Sequence, residues 1–444
     1  MRIVDAVLRA LLLGLVLRHG LVLRAVLRSH RFLQRGLARR DSAAALPGAR
    51  PCFYIVLPVL REAAVIEQAV AHFETLAAGH DARIVVVTTA REELERDQHA
   101  SADDTVLAAK ELAASGRCTH LHYPDPQGVK ADQLNFAVDY LAAAPPDPIA
   151  ASRSFLLCYD ADSRPPLDSL AGFQRAITQH PHVNVFHQSS RFELRQPDAP
   201  RSWSWPRCWL ADAGALRANR FVVAYEIPRL LNRSPTAPAW RRRVASYVYA
   251  HVTGHGLCAR LSLLQRLPFP PRSPLEDMHY SFILGSRNEA MLPIPSLDCA
   301  EVPSSVRLQI EQAARWFFGP GRFVAYRKHP QTRRGLRARL LSVSALAICV
   351  EWLSCAVMPV ALVLSLWRAS EFVRAVAVVF VSIYFLQLIA TDRFIGSPAR
   401  PLDRVGRLLA YPITCTLFGV GGIIGAGRLL QGGSGVGKTE RSSA

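Results

Sequence analysis

Short apolar runs alternate with segments of helical periodicity through the middle of the chain. The runs CFYIVLPV, RIVVVTT and FLLCYDADS are typical of buried strands, and the segment after the first run places Val65, Ala69, Phe73 and Leu76 on one helical face. Strands that alternate with helices predict an α/β domain with a mainly parallel, mixed sheet and helices on both faces. Ligands of such sheets bind beyond the carboxyl ends of the strands, so we expect the chemistry there.

Three longer apolar runs follow, at 340–367, 372–390 and 408–426. Each is close to the length of about 20 residues that a helix needs to cross a bilayer. We therefore expect about three transmembrane helices in residues 336–430 and a flexible tail at 431–444. The linker between the last two runs carries four Arg and two Asp, which predicts a cytoplasmic location by the positive-inside rule.

Residues 1–45 combine apolar and basic positions. On a helical wheel, seven arginines fall within an arc of about 120°. These are Arg2, Arg9, Arg24, Arg28, Arg31, Arg35 and Arg39. The pattern predicts either a basic amphipathic helix on an anionic lipid surface or a transmembrane helix, and both interpretations stay open.

The charge balance indicates an anionic partner. Among 444 residues, 53 Lys and Arg face 35 Asp and Glu, so the formal net charge is +18. This suits acidic lipid or a phosphorylated substrate. Zinc-finger spacing, a basic-region heptad and an RNA-binding aromatic signature are all missing from the sequence, so we expect no nucleic-acid partner. The nine cysteines are scattered without a C-x-x-C pair, which argues against a zinc or disulfide framework.

Two carboxylates end the third predicted strand, at Asp160 and Asp162. Alternate residues just past a strand can turn toward one point, and paired oxygen ligands suit Mg²⁺ or Mn²⁺ carrying a diphosphate. The alternative is a solvated turn. Upstream, Lys130 opens the segment KADQLN, where its ammonium group would either meet a phosphate or stay solvated.

A second acidic pair, Glu276 and Asp277, begins a predicted helix. The helix dipole stabilises carboxylates there, so these acids either cap the helix or supply a general base. His251 and His255 in HVTGH have the i, i+4 spacing of metal ligands. The metalloprotease motif requires Glu after the first His, and Val252 stands in that place, so zinc is not favoured.

Gln312, Arg315 and Trp316 form Q-x-x-R-W on one predicted helical face. Trp offers a flat surface for a sugar ring, and Arg offers a fork for a diphosphate. Otherwise the segment is an ordinary amphipathic helix that leads toward the membrane.

The ordered set of motifs is more specific than any single one. PVLRE, KADQLN, DAD, HGL, ED and Q-x-x-R-W follow one another between about residues 53 and 321, and apolar helices come after them. In this order the chain resembles the membrane-bound family 2 glycosyltransferases, which include the cellulose, chitin and hyaluronan synthases and the ceramide glucosyltransferase. The resemblance implies a GT-A domain at 46–335 and an inverting transfer from a nucleotide sugar, usually a UDP-sugar.

The resemblance also implies roles for individual residues. Asp277 would be the catalytic base. The nucleotide sugar would be bound by Pro58, Glu62, Thr89, Lys130, Asp160, Asp162 and Arg315, with Asp160 and Asp162 also holding Mg²⁺ or Mn²⁺. The acceptor would be contacted by His255, Glu276, Gln312 and Trp316.

The end of the second predicted strand departs from the family pattern. An Asp that grips the nucleobase is usual there, whereas this chain has VTTARE at 87–92. Either Thr88, Thr89 or Glu92 takes that role, or the base is held in another way, which leaves the identity of the donor open.

Together these features predict an integral protein of the cytoplasmic (inner) membrane whose cytosolic domain transfers sugar to a glycan or a lipid-linked acceptor. Glycan extension, a single addition to a glycolipid and transfer to polyprenyl phosphate are alternatives. GGSGVGKT at 432–439 matches the P-loop pattern and raises a different class, a membrane-anchored nucleoside-triphosphate hydrolase. Only five residues follow it, too few for the helix that a P-loop requires, so we do not favour this class.

Overall fold

A computed structural model describes the protein at residues 2–38, 50–96, 104–143, 153–194, 205–273, 275–303, 305–356, 363, 370–396 and 400–432. In these ranges, seven strands form one mixed sheet. They are β1 (Cys52–Pro58), β2 (Ala82–Thr89), β3 (Thr119–Tyr123), β4 (Ser154–Cys158), β5 (Val185–Leu194), β6 (Leu257–Arg260) and β7 (Met291–Val302).

The strand order is β3-β2-β1-β4-β6-β5-β7. β1 pairs in parallel with β2 and β4, β2 pairs in parallel with β3, and β5 pairs in parallel with β7. Only β6 runs antiparallel to its neighbours among the described strands, β4 and β5. These pairings confirm the expected mixed, mainly parallel sheet.

Helices connect the strands and continue beyond the sheet. They are α1 (Arg2–Ala38), α2 (Ala63–Ala77), α3 (Arg91–Arg96), α4 (Thr105–Ala114), α5 (Lys130–Ala143), α6 (Ser169–Gln179), α7 (Trp205–Phe221), α8 (Ile227–Arg233), α9 (Ala239–Ala245), α10 (Leu261–Arg266), α11 (Glu276–Arg287), α12 (Val306–Gly321), α13 (Phe323–Tyr326), α14 (Leu336–Ser354), α15 (Glu371–Ile395) and α16 (Pro401–Leu430). A π-helical turn, Val222–Glu226, joins α7 to α8.

Alternate residues of the strands supply two cores, because successive side chains of a strand point to opposite faces. On one face, Val56 and Leu156 pack with side chains of α5, α10 and α11. On the other face, Phe53 and Phe155 pack with side chains of α2, α4 and α6. Each fully buried side chain of this size contributes about 1.5–3 kcal/mol, so the two cores fix the ends of the strands firmly.

Within the described residues, three helices are long and apolar enough to cross a membrane: Arg9–Gly36 within α1, α15 and α16. Their exposed apolar side chains include Leu17, Val378 and Leu409. The first apolar run predicted from the sequence is covered only in part by α14, and most of its remainder lies outside the described residues. The number of crossings therefore stays a prediction.

The basic arc of α1 divides into exposed and half-buried positions. Arg24, Arg31 and Arg35 are exposed, whereas Arg28 donates to Asn232 Oδ1 of α8 at 2.5 Å. The side chain of Arg2 and all of Arg39 lie outside the described residues. The length and apolar character of α1 suit a crossing helix, although the sequence alone left an interfacial helix open.

Candidate active site

The carboxyl ends of β1, β2 and β4 lie side by side, as their parallel pairing requires. The chain reaches Asp160 two residues after β4 ends, and α5 begins at Lys130. Lys130 Nζ lies 2.5 Å from Asp160 Oδ1 and 3.7 Å from Glu276 Oε1. Burial would lower the pKa of Lys130, but Asp160 and Glu276 outweigh burial and raise it well above its ordinary value. The ammonium group therefore stays charged between two acids.

Other polar residues of KADQLN hold α5 in place. Gln133 Nε2 donates to one carbonyl oxygen just after β1 and to another within β2, at 3.1 and 2.8 Å. Asn135 and the backbone of Phe269 exchange two hydrogen bonds, of 2.8 and 2.9 Å. Because α5 is tied at these points, Lys130 is presented to the strand ends from a fixed position.

Asp277, in the first turn of α11, is bound on both oxygens. Its Oδ2 accepts hydrogen bonds from His251 Nε2 and from the N–H of Gly254, each at 3.1 Å. Its Oδ1 accepts from the N–H of Met278 at 2.7 Å. Burial would raise the pKa of Asp277, but His251 outweighs burial and the pKa is lowered. The pKa of His251 is raised by the same contact, so the two groups form a carboxylate–imidazolium pair.

Glu276 has the opposite electrostatic setting. Its side chain is 10% exposed, and burial raises its pKa; Lys130 opposes this effect and Asp277 adds to it. Two adjacent acids thus differ in how readily they hold a proton. Such a difference is what separates acid from base in sites with paired carboxyl groups.

Two glycines bring the HVTGHG loop against the acids. A Cβ at Gly254 would lie 2.7 Å from Glu276 Oε1 and 3.2 Å from Lys130 Nζ. Gly256 has a φ of +72°, and a Cβ there would overlap the carbonyl oxygen of Gln188. Only glycine adopts this conformation without strain at so close an approach, so the loop sequence fixes the shape of the site.

His255 of this loop contacts a buried acid of the sheet. Its Nδ1 lies 3.3 Å from Asp298 Oδ2 and 3.0 Å from Ser190 Oγ. Burial would lower the pKa of His255, but Asp298 and Asp160 outweigh burial and raise it to about 9. His251 and His255 therefore face separate carboxylates, Asp277 and Asp298.

Sequence reasoning missed Asp298 and a second buried acid, Glu226. Glu226 lies in the π-helical turn, and its Oε1 is 3.2 Å from His187 Nε2. Thr253 Oγ1 lies 3.3 Å from the same nitrogen, so the Glu226–His187 pair contacts the HVTGHG loop through Thr253. Both acids interrupt apolar segments, and a carboxylate in such a segment is the signal that could have found them.

The expected nucleobase region lies at the ends of β1 and β2, where Pro58 and Thr89 are the last strand residues. Glu62 is buried, and its N–H donates to Thr105 Oγ1 at 2.8 Å. Glu92 Oε1 accepts from the N–H of Thr105 at 2.9 Å. The two glutamates thus meet at the start of α4.

Thr88 turns toward the neighbouring strand. Its Oγ1 lies 2.8 Å from His120 Nε2 and 2.9 Å from His122 Nδ1. Thr89 Oγ1 accepts from the N–H of Arg91 at 3.3 Å. All three candidates for the missing nucleobase Asp therefore have partners within the domain, and the residue that grips the base stays a prediction.

The Q-x-x-R-W residues lie on α12. Gln312 and Trp316 line a small cavity whose walls come from α7, β7, α12 and α16. Arg315 and the carboxylates described above are not among its lining residues. Burial lowers the pKa of Arg315. One helical turn after Trp316, a Cβ at Gly319 would overlap Met278 Sδ, so α12 also contacts the start of α11.

The described residues contain no group of three or more His, Cys, Asp or Glu side chains that could hold a metal ion. Asp160 and Asp162 nevertheless follow β4 closely along the chain, and the Asp160 side chain is 40% exposed. Mg²⁺ commonly takes one or two carboxylates and completes its shell with substrate phosphates and water. The pair therefore fits a metal that arrives with a diphosphate.

No protein-family model and no curated protein sequence matches the chain. Among solved structures it is similar to the mannosyltransferase PcManGT from Pyrobaculum calidifontis in complex with GDP-Man and Mn²⁺. The two chains are 16% identical, the match covers 95% of this chain and 99% of that chain, and the TM-score is 0.51. A weaker likeness, to glucosyl-3-phosphoglycerate synthase from Mycobacterium tuberculosis in complex with Mn²⁺, UDP and glucosyl-3-phosphoglycerate, has 16% identity, coverage of 57% and 71%, and a TM-score of 0.32. The chain therefore shares its fold with a solved glycosyltransferase.

Proposed function

We propose that the protein is an inverting family 2 glycosyltransferase that moves a sugar from a nucleotide sugar to a glycan or lipid-linked acceptor. The observation that carries this proposal is the meeting of Lys130, Asp160, Glu276 and Asp277 at the carboxyl ends of parallel strands. Transfer of a sugar from a diphosphate needs positive charge to stabilise the leaving diphosphate and a carboxylate to accept the proton of the acceptor hydroxyl. The shared fold is consistent with this chemistry.

The donor side of the proposed site is formed by Lys130, Asp160 and Asp162. Mg²⁺ or Mn²⁺ held by the two aspartates would supply positive charge against the diphosphate that leaves the sugar. Lys130, already charged and fixed by α5, stabilises the same developing charge. Arg315 is the further cation that we assign to the diphosphate, and Pro58, Glu62 and Thr89 are assigned to the nucleotide. UDP is the proposed carrier.

Asp277 is the proposed base. The acceptor hydroxyl loses its proton to the Asp277 carboxylate while its oxygen bonds to the sugar, and the bond to the diphosphate breaks on the opposite face. His251 keeps Asp277 ionised, and a carboxylate offers about four lone-pair positions, so capacity remains beyond its three hydrogen bonds. General-base catalysis of this kind is worth about 10²–10⁴-fold.

Glu276, His255, Gln312 and Trp316 are assigned to the acceptor. We place the transferase domain at 46–335 on the cytosolic face of the cytoplasmic membrane, between the N-terminal helix at 1–45 and the helices at 336–430. The three helices of sufficient length and apolarity that the described ranges contain support a membrane location.

The test is a panel of UDP- and GDP-sugars with Mn²⁺, full-length protein and a membrane extract as acceptor, with the product identified by mass. We expect one donor to be used, and Asp277→Asn to lower the rate at least about 100-fold. Asp139→Asn, an exposed acid on α5, is the matched control and should keep the rate. Failure of every donor would refute the proposal.

A hydrolase control addresses the C-terminal motif. Lys438 lies outside the described residues, and Lys438→Ala is expected to leave sugar transfer unchanged. ATP hydrolysis that is lost in Lys438→Ala would instead favour the nucleoside-triphosphate hydrolase.

A further inference from the structure

A short helix on the surface of the α/β domain exposes its apolar side chains. In α9, Trp240 is 64% and Val244 is 59% exposed, and Ala245 is the one buried residue of this fully described helix. Because residues four apart are neighbours on a helix, the tryptophan and the valine form one exposed apolar strip. Val248, in the turn that follows α9, is a further exposed apolar residue. Nothing in the described part of the chain covers this strip.

The strip differs from the rest of the domain surface. In the described parts of residues 50–335, the other large apolar side chains that are exposed stand apart on separate elements: Leu107, Tyr140, Leu167 and Val324. Single exposed apolar residues are normal on a protein surface, whereas a cluster of them marks a contact site. The α9 strip is therefore the candidate contact surface of the domain.

Cations accompany the strip. Arg241, Arg242 and Arg243 stand between Trp240 and Val244 in the sequence, and the last two arginines have exposed side chains. The Arg241 guanidinium lies 5.2 Å from the centroid of the Trp240 ring. The sequence contains no Asp or Glu from residue 227 to residue 275. A partner that complements this surface therefore offers apolar contact and negative charge together.

The attachments of α9 show where the surface lies relative to the long apolar helices. At the end of α8, Asn232 accepts a hydrogen bond from Arg28 of α1 at 2.5 Å. Just after α9, the Tyr247 ring lies under the Arg337 guanidinium of α14, 5.7 Å from its centroid. The α9 segment is thus attached to α1 on one side and to the first turn of α14 on the other.

Both attachments lie where these helices carry cations beside apolar side chains. Around the contact with Asn232, α1 exposes three arginines: Arg24, Arg31 and Arg35. The start of α14 exposes Arg339 next to Leu336 and Leu340. Arginines at the end of an apolar helix are typical of the head-group level of a membrane, and tryptophan is enriched at that level too. The α9 strip therefore lies at the level of a bilayer surface.

We infer that α9 is a membrane-surface anchor, in which Trp240 and Val244 enter the bilayer interface and Arg241, Arg242 and Arg243 contact anionic head groups. The occupant is the surface of the bilayer that holds α1, not a bound substrate. A second copy of the chain would set arginines against arginines, and an uncharged lipid surface would leave them uncompensated. The anchor fixes the orientation of the domain on the membrane, and the inference does not depend on the proposed sugar transfer.

The test is hydrogen–deuterium exchange of the full-length protein in nanodiscs, with mass spectrometry of the segment 239–248. The discs contain either dioleoyl phosphatidylcholine alone or its mixture with dioleoyl phosphatidylglycerol. Each arginine near an anionic surface is worth about fivefold in membrane affinity. We therefore expect exchange in 239–248 to be at least about tenfold slower when phosphatidylglycerol is present.

Two variants separate the charged from the apolar part of the anchor. The triple variant Arg241→Gln, Arg242→Gln, Arg243→Gln should lose the effect of phosphatidylglycerol on exchange. Trp240→Ser should exchange faster than the wild type in both kinds of disc. Quenching of tryptophan fluorescence by a brominated lipid is a second measure, and part of it should disappear in Trp240→Phe.

The matched control lies on α4, which exposes the leucine Leu107 beside the cation Lys110. α4 contacts β3 at one edge of the sheet, whereas α1 contacts β7 at the opposite edge. Leu107→Ser combined with Lys110→Gln should therefore change neither the exchange in 239–248 nor the quenching. Unchanged exchange in β4 shows that each variant is folded.

Four results would overturn the inference. Exchange in 239–248 could be equal with and without phosphatidylglycerol, or quenching could be identical in the wild type and Trp240→Phe. Protection that survives the triple arginine variant would contradict the contact with anionic head groups. Protection that is already present in detergent and grows with protein concentration would assign the surface to a second copy of the chain.

Discussion

The contact between His251 and Asp277 predicts how the rate of sugar transfer depends on pH. His251 Nε2 lies 3.1 Å from Asp277 Oδ2, in a setting where the histidine side chain is 8% and the aspartate side chain 19% exposed. The imidazolium lowers the pKa of Asp277, and burial opposes it. His251→Gln keeps a hydrogen-bond donor near Asp277 but removes the charge.

The size of the effect follows from the distance. At 3.1 Å and an effective dielectric constant of about 20, the charges attract by roughly 5 kcal/mol before the cost of burial. Burial cancels part of this attraction, and a carboxylate beside a cation commonly has its pKa lowered by about 1–3 units. This range equals about 1.4–4 kcal/mol. Loss of the cation should therefore raise the pKa of Asp277 by about the same number of units.

The assay is the pH profile of kcat/KM for the donor found in the nucleotide-sugar panel. Below its pKa the base is protonated and inactive, so the acidic limb in His251→Gln should move to higher pH by about 1–3 units. Near pH 8 the carboxylate is ionised in both proteins, so the rates should agree within a few fold. His251→Lys, which restores a cation, should move the limb back, and exposed His182→Gln should leave it in place.

A uniform fall in kcat/KM at every pH, with the limb unmoved, would refute this reasoning. It would mean that His251 holds the loop in place and does not set the ionisation of Asp277. Circular dichroism of each variant shows whether it is folded, so that unfolding is not mistaken for a shifted acidic limb or for a uniform fall in kcat/KM.

Three further predictions concern the same site. Gly254→Ala should lower kcat/KM about 10–100-fold, because the new methyl group would displace the Glu276 and Lys130 side chains. Its melting temperature should stay close to that of the control Gly172→Ala, whose added Cβ would meet only ordinary van der Waals contacts. The pKa of His255 is raised to about 9, so its contribution to the free energy of unfolding is full below about pH 6.5 and is lost as pH rises through about 9. Denaturant titrations should therefore show that the free energy of unfolding falls between pH 6 and pH 10 by up to about 3 kcal/mol more in the wild type than in His255→Gln. Chelation with EDTA should abolish sugar transfer without lowering the melting temperature, and Mn²⁺ should restore it; a fall in melting temperature on chelation would instead indicate a structural metal.

Much of the domain could be predicted from the sequence because the signals are local. Strand and helix periodicity determines which residues are buried, and Asp160 follows directly from where β4 ends. The same holds for Asp277, which stands at a helix start that the sequence marks with adjacent acids. The long apolar runs likewise indicate α15 and α16 without any knowledge of packing.

The sequence could not identify contacts between segments that are far apart along the chain. Asp298 meets His255 only because β7 pairs with β5, which is next to β6 in the sheet, and no local pattern marks that neighbourhood. Trp240 looks like any tryptophan of a short helix until Asn232 and Tyr247 attach that helix to α1 and α14.

The sequence by itself thus determined the elements, the carboxylates and the lysine of the proposed active site, because each follows from spacing within one segment. Only the tertiary structure decided which charges compensate one another: His251 with Asp277, and His255 with Asp298. The physical reason is that protonation and ligand preference depend on distances of a few ångströms between groups that are tens to hundreds of residues apart, and folding alone sets those distances.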